Sequence, residues 1–118
     1  MTSIIPHLSV DCVLFGFDQK TLKVLLTKRV LLDEKTKKVD FIDYTLLGHH
    51  VLENEDLDKA AERVVMDKTG LKGIYLEQFY TFGKLGRMSS DKDKMWTKKN
   101  KYNIADHVIT VGYYSLVD

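Results

Sequence analysis

Apolar and polar positions alternate from His7 to Phe17. Leu8, Val10, Cys12, Leu14 and Gly16 fall in one register, and Ser9, Asp11, Val13, Phe15 and Phe17 in the other. A period of two, with frequent β-branched and aromatic residues, predicts a strand. Asp18-Gln19-Lys20 predicts a turn. Leu22 to Arg29, with Val24, Leu25 and Leu26 at its middle, predicts a second strand, so the pair reads as a hairpin. The charged stretch from Asp33 to Lys38 predicts an exposed loop, and Tyr44 to Leu47 a short strand leading to Gly48. Two further strands are expected, over Gly73–Lys84 and His107–Val117.

Between these strands the period changes. Leu57, Ala60, Ala61, Val64 and Val65 recur at three- and four-residue spacing, with Lys68 on the same spacing, which predicts an amphipathic helix. Asn54 is the expected cap, with Glu55 and Asp56 in the first turn, where the helix dipole favours negative charge. Gly70 is the expected stop. Strands on both sides of one such helix predict a mixed sheet with the helix packed on it.

The stretch GHHVLENEDLDKAAERVVMDKTGL, Gly48 to Leu71, resembles the Nudix box, G-x5-E-x7-R-E-U-x-E-E-x-G-U with U apolar. Aligning Gly70-Leu71 with its end places Glu55 on the first glutamate, Arg63 on the arginine, Val65 on the apolar position and Asp67 on the first of the late glutamate pair. The opening glycine falls on His49, one residue after Gly48. The resemblance implies an α/β fold, the Nudix-type α/β/α sandwich with a mixed β-sheet and a loop–helix Nudix box. It also implies that Arg63 pins the loop through ion pairs, with Glu55 its acidic counterpart in the box.

Two positions depart from the box. Val64 stands where the family has the glutamate after the arginine, and Lys68 where it has the last glutamate. In the enzymes these carboxylates help hold Mg²⁺ or Mn²⁺ at a diphosphate, and hard divalent cations need oxygen ligands. At ~4 Å and an effective dielectric of ~20, exchanging a carboxylate for an ammonium turns roughly 8 kcal/mol of attraction into similar repulsion, before solvent and side-chain movement reduce it. Asp67 alone is a weak metal candidate. The resemblance with these departures implies a retained fold and lost or very weak hydrolysis. No cofactor is expected to be required, and Mg or Mn only if the hydrolase alternative holds. In that alternative, a nucleoside diphosphate derivative is cleaved with a divalent metal, Glu55 and Asp67 being the remaining carboxylates and Glu77 a further candidate.

The run TGLKGIYLEQFYTFGKLGR, Thr69 to Arg87, followed by HVITVGYYSL, is similar to one branch of the family, the Nudix-related bacterial transcriptional regulators of the NrtR type. That likeness implies a domain that senses a small-molecule effector, ADP-ribose or a related nucleotide or sugar metabolite, and a homodimer. DNA would be read only by a winged-helix domain that the 118 residues do not contain, so residues 1–118 are expected to be a fragment of a longer chain. The closing helix of a Nudix fold is expected to be missing or to lie outside the sequence.

Composition narrows the rest. With 118 residues, 44% hydrophobic and 30% charged, the chain suits one domain with a filled core. A net charge of +1 gives no global argument for nucleic acid or membrane. One cysteine, Cys12, excludes an internal disulfide and fits a cytoplasmic location. No apolar run approaches the ~20 residues of a membrane helix.

For the effector, the expected ligand contacts are Arg29, Gly48, His49 and Arg87. A guanidinium can grip phosphate in a bidentate way, and a loop histidine can donate to a ribose or phosphate. A surface ion pair is the competing reading for Arg29 and Arg87. Adjacent histidines at 49 and 50 lack metal-site spacing. The lysines between Lys92 and Lys101, beside Trp96 and Tyr102, could contact phosphates and stack bases; a solvated loop is the plainer reading. Glu77 and Gln78 interrupt an apolar strand with no assigned side.

Overall fold

The computed structural model describes residues 2–85 and 107–117. Its centre is β1 (Ile4–Asp18), longer at both ends than the alternation from His7 to Phe17 predicts. β2 (Thr21–Val24) pairs antiparallel with the last part of β1 through a turn in which Gln19 has φ +59°. β5 (Leu47–Leu52) pairs antiparallel with the first part. On its other edge β1 pairs in parallel with β7 (Ile109–Val117), and β7 in turn pairs antiparallel with β6 (Glu77–Phe82). The result is the expected mixed sheet. A separate two-stranded sheet is made by β3 (Thr27–Leu32) and β4 (Val39–Thr45).

Three sequence-based boundaries are corrected. The strand expected over Leu22–Arg29 is two strands. Leu25 closes the first hairpin by donating its N–H to the Leu14 carbonyl, 3.0 Å, and the chain then crosses to the second sheet. An unbroken Val24-Leu25-Leu26 run carries no period that would show the change. The strand expected over Tyr44–Leu47 is the meeting of β4 and β5 at Leu46. Gly48 and His49 therefore lie within β5 rather than opening a loop. The acidic residues Asp40 and Asp43 hid β4, and Asp43 is accommodated there by Arg29 on the opposing strand.

The helix α1 (Leu57–Thr69) begins at Asp56, not Asn54. The Asp56 carboxylate accepts the Lys59 N–H at 3.0 Å, so the acid two residues later takes the capping role. Asp58 then supplies the negative charge of the first turn. At the other end Gly70 has φ +78° and donates its N–H to the Met66 carbonyl at 2.8 Å. That left-handed conformation costs a glycine least.

One face of α1 buries Ala60, Ala61, Val64 and Val65 against Val10, Cys12 and Leu14 of β1, Leu47 and Val51 of β5, and Val111 and Tyr113 of β7. The two alanines let the helix lie close to the sheet, where the Cys12 thiol reaches the Ala61 carbonyl at 3.7 Å. Burial pushes the Cys12 thiol up to about 12, as does the neighbouring Asp11. Burying a valine such as Val64 is worth roughly 1.5–3 kcal/mol. No helix of the described residues is long and apolar enough to cross a membrane.

Candidate functional site

The end of β5, the short turn after it and the middle of α1 meet at one ionic clasp. Glu55 sits between strand and helix. Its carboxylate accepts the Leu52 N–H at 2.9 Å and, from Arg63, Nη2 at 2.7 Å and Nε at 3.0 and 3.2 Å. Arg63 Nη2 also donates to the His50 carbonyl at 2.9 Å. Charge-assisted bonds of this bidentate kind fix orientation as well as adding energy. The bonds from Arg63 hold the Glu55 carboxyl below the usual glutamate range, against the opposing effect of burial, and the Glu55 bonds raise Arg63 in turn.

Asp67 stands one helical turn beyond Arg63, with its carboxylate 3.8 Å from Nη1 and mostly exposed. Val64, one turn before Lys68 on the helix, is 1% exposed within the core. Lys68 is exposed. Glu55 and Asp67 thus contribute two negative charges and Arg63 and Lys68 two positive ones. Among the described residues, no group of three or more His, Cys, Asp or Glu side chains could hold a metal ion. Two carboxylates engaged or flanked by cations do not match the oxygen-rich donor set that Mg²⁺ or Mn²⁺ requires.

His49 follows in β5 on the strand register of Val10, which faces the helix. Its Nδ1 lies 3.2 Å from the His50 carbonyl oxygen, and its ring is edge-on to that of His50. His50 points to the opposite face and is buried. Burial, and then the neighbouring His49, lower its pKa. Gly48 pairs with Asp11 across the strands, and the Asp11 carboxylate folds over it where any Cβ would stand.

The structure therefore brings Glu55, Arg63, Asp67 and His49 into one neighbourhood, with Gly48 beside it. Arg29 lies elsewhere, in the middle of β3 and not at a strand end. It donates Nε and Nη2 to the two carboxylate oxygens of Asp43 at 2.7 and 2.6 Å. Any phosphate must compete with Asp43 for that guanidinium. Arg87 and the lysine-rich run from Lys92 to Tyr102 lie outside the described residues. Glu77 faces solvent on β6 and accepts the Tyr114 hydroxyl at 3.0 Å, whereas Gln78 turns toward the helix side.

Beside the clasp, a cleft of about 390 Å³ runs between α1 and the segment that follows it. Lys59, Arg63, Lys72, Met66, Leu71 and Ile74 are among its walls. Its size is that of a small-molecule site, and its lining mixes these cations and apolar side chains with the Glu62 carboxylate, which pairs with Lys59 at 3.5 Å. Two further groups were not singled out from sequence. Asp11 is one. The other is the buried Tyr113, whose hydroxyl donates to Asp58 at 2.7 Å and accepts from Gln78 at 3.0 Å. This links β7, β6 and the first turn of α1. The available signal was that a tyrosine in a core strand needs a partner for its hydroxyl.

No protein-family model and no curated protein matches the chain. Solved structures do. The NUDIX domain of Shewanella oneidensis NrtR, complexed with ADP ribose, superposes with a TM-score of 0.63 at 26% identity, over 97% of this chain and 62% of that one. A mutT/nudix family protein from Listeria innocua gives 0.68 at 26% identity, over 94% and 64%. Shewanella oneidensis NrtR complexed with a 27mer DNA gives 0.58 at 27% identity, over 93% and 42%. The chain thus spans less than two thirds of the length of each of these neighbours.

Proposed function

We propose that this chain, which has the Nudix fold and is similar in sequence and structure to the NUDIX domain of NrtR, is a metabolite-sensing domain that binds ADP-ribose or a related nucleotide or sugar metabolite without efficient hydrolysis. The observation that carries the reading is the contrast along α1. Arg63 still clasps Glu55 and so fixes the geometry of the turn, while Val64 and Lys68 occupy the two box positions from which metal-holding carboxylates are expected. The complex of the NrtR domain with ADP ribose supports the ligand class.

In this reading the effector's phosphates lie near the cleft rim at Arg63 and Lys72, with His49 and Gly48 close by. Arg87 is the proposed further guanidinium contact, whereas Arg29, clasped by Asp43 in the separate β3–β4 sheet, does not belong to this cluster. Binding needs no divalent ion. The ligand alters DNA binding through a further domain by preferring one arrangement of the assembly, the only way a ligand shifts such an equilibrium.

Titration calorimetry with ADP-ribose, in EDTA and again in Mn²⁺, tests this. Expected is binding that is equal in both, with intact ADP-ribose recovered. Release of AMP at about one turnover per second in Mn²⁺, against the 1–10³ s⁻¹ typical of enzymes, overturns it in favour of a hydrolase. Absence of heat with ADP-ribose, NAD and pentoses alike overturns it in favour of neither.

A further inference from the structure

The cleft beside the clasp is lined by three cations and one acid. Lys59, Glu62 and Arg63 come from α1, and Lys72 from the segment after Gly70. The acid is the odd member. Glu62 accepts Lys59 Nζ at 3.5 Å, the outer edge of hydrogen-bond distance, and its side chain is 58% exposed. An exposed pair of this kind adds little to the stability of the helix. An ionised carboxylate has room for about four hydrogen bonds and can only accept them. Glu62 therefore has capacity that only a donor can use. A phosphate at neutral pH offers it no hydrogen; a hydroxyl does. Met66, one turn beyond Glu62, lines the same cleft with Leu71 and Ile74. Carboxylate, cations and apolar surface thus lie side by side. Arg63 commits Nε and Nη2 to Glu55 and the His50 carbonyl, and its Nη1 lies 3.8 Å from Asp67. The exposed Lys72 is the less committed cation across the cleft.

We infer that Glu62 is the specificity residue of this cleft: it accepts the free hydroxyls of the effector's adenosine ribose and so rejects the same nucleotide phosphorylated there. The inference rests on the metabolite-sensing reading and narrows its ligand to a nucleotide whose adenosine ribose carries both hydroxyls. Two vicinal hydroxyls can donate to the two oxygens of one carboxylate, as an acidic side chain holds the ribose 2′-hydroxyl in dinucleotide-binding folds. The base then lies against Met66, Leu71 and Ile74, and the diphosphate runs toward Lys72. A phosphate on the 2′-oxygen removes that donor and adds about two negative charges. Lys59 does not compensate for it, because its charge is already met by Glu62. Sites built to bond a hydroxyl discriminate more sharply than sites that only fit a shape.

Titration calorimetry of the 118-residue chain in EDTA, with ADP-ribose and with its 2′-phosphate, decides it. The parent should bind the 2′-phosphate roughly tenfold more weakly, the worth of one charge-assisted bond. Glu62→Gln should bring the two ligands within about threefold, because the amide can both accept and donate. Glu62→Lys places a second ammonium beside Lys59 and should reverse the preference. Lys72→Ala should weaken both ligands by about the same factor, since the diphosphate is common to them. Glu62 is exposed, so both of its variants should keep the circular dichroism of the parent. Equal affinities in the parent, or a ratio that neither Glu62 variant moves, would overturn the role of Glu62 and leave the sensing domain standing. A parent that binds neither nucleotide overturns the nucleotide form of the sensing reading, and this inference with it.

Discussion

Arg63 holds Glu55 across eight positions of sequence through three contacts of 2.7 to 3.2 Å, and with the same guanidinium ties the His50 carbonyl. One side chain thus joins β5, the turn and α1. Most of both side chains is shielded from water, so screening discounts the pair less than it does a surface bridge. Arg63→Met is expected to cost about 2–4 kcal/mol, because it leaves the Glu55 carboxylate shielded and unpaired. Chemical denaturation at neutral pH measures it.

The same pair sets a pH signature. The folded-state pKa of Glu55 is lowered, chiefly by the Arg63 bonds. A depressed acid contributes stability above its unfolded pKa and loses it as pH falls through the folded one. The contribution is therefore complete above about pH 4.5 and declines below it. The parent should lose more stability than Glu55→Gln between about pH 5 and 3. Parallel curves for the two proteins would remove Glu55 from the account.

How far these features could be read in the sequence differs by element. The helix was legible because its apolar period and closing glycine are local, and Ala60, Ala61, Val64 and Val65 are the residues it buries. Its cap was misplaced by two residues, because Asn54, Glu55 and Asp56 can all accept a backbone N–H. Only packing assigns Glu55 to Arg63 and leaves Asp56 to cap. The central strand was legible from alternation. β3 and β4 were not, because their inward face mixes Arg29 and Asp43 with Leu31 and Phe41 while their outward face carries Val30 and Ile42, so no apolar–polar alternation marks them. Arg29 could be noticed as a cation, but its partner lies fourteen residues away and only strand register brings the two together.

Tyr113 gives a second titration. Its phenol is pushed up to about 12, first by burial and then by donating to Asp58. A raised acid stabilises the fold fully below its unfolded pKa, near 10, and that stabilisation is lost as pH rises toward the folded value. An absorbance titration of the parent should show a phenol that ionises well above pH ~10 and is missing from Tyr113→Phe. Tyr113→Phe should cost about 1–2 kcal/mol at neutral pH, since Asp58 and Gln78 lose a partner. The mutant should also show a shallower decline above about pH 10.

The Asp11–Gly48 contact makes a coupled pair. A methyl at Gly48 would stand on the Asp11 carboxylate and 3.0 Å from the Val10 carbonyl oxygen. Gly48→Ala should destabilise by about 1–3 kcal/mol through overpacking. Asp11→Ala in the same chain should recover part of that, because the carboxylate yields and the Val10 backbone does not. A double-mutant cycle reads the coupling. Full additivity would show that the two do not meet.

The two departures on α1 predict unequal costs for restoring the carboxylates. Val64 lies in the core with Val10, Cys12, Leu47 and Val51. Val64→Glu must bury a carboxyl there and should cost at least about 3 kcal/mol, more at neutral than at acid pH. Lys68 is exposed, and Lys68→Glu should change stability by less than about 0.5 kcal/mol. Its effect is electrostatic, since it exchanges a positive for a negative charge one residue from Asp67, whose cation is Arg63, and leaves a net negative neighbourhood. In the double mutant Mn²⁺ should raise the melting temperature, because a ligand that binds only the folded state stabilises it, while the parent should not respond. An equal Mn²⁺ shift in the parent would show that Val64 and Lys68 do not set the affinity of this helix for metal.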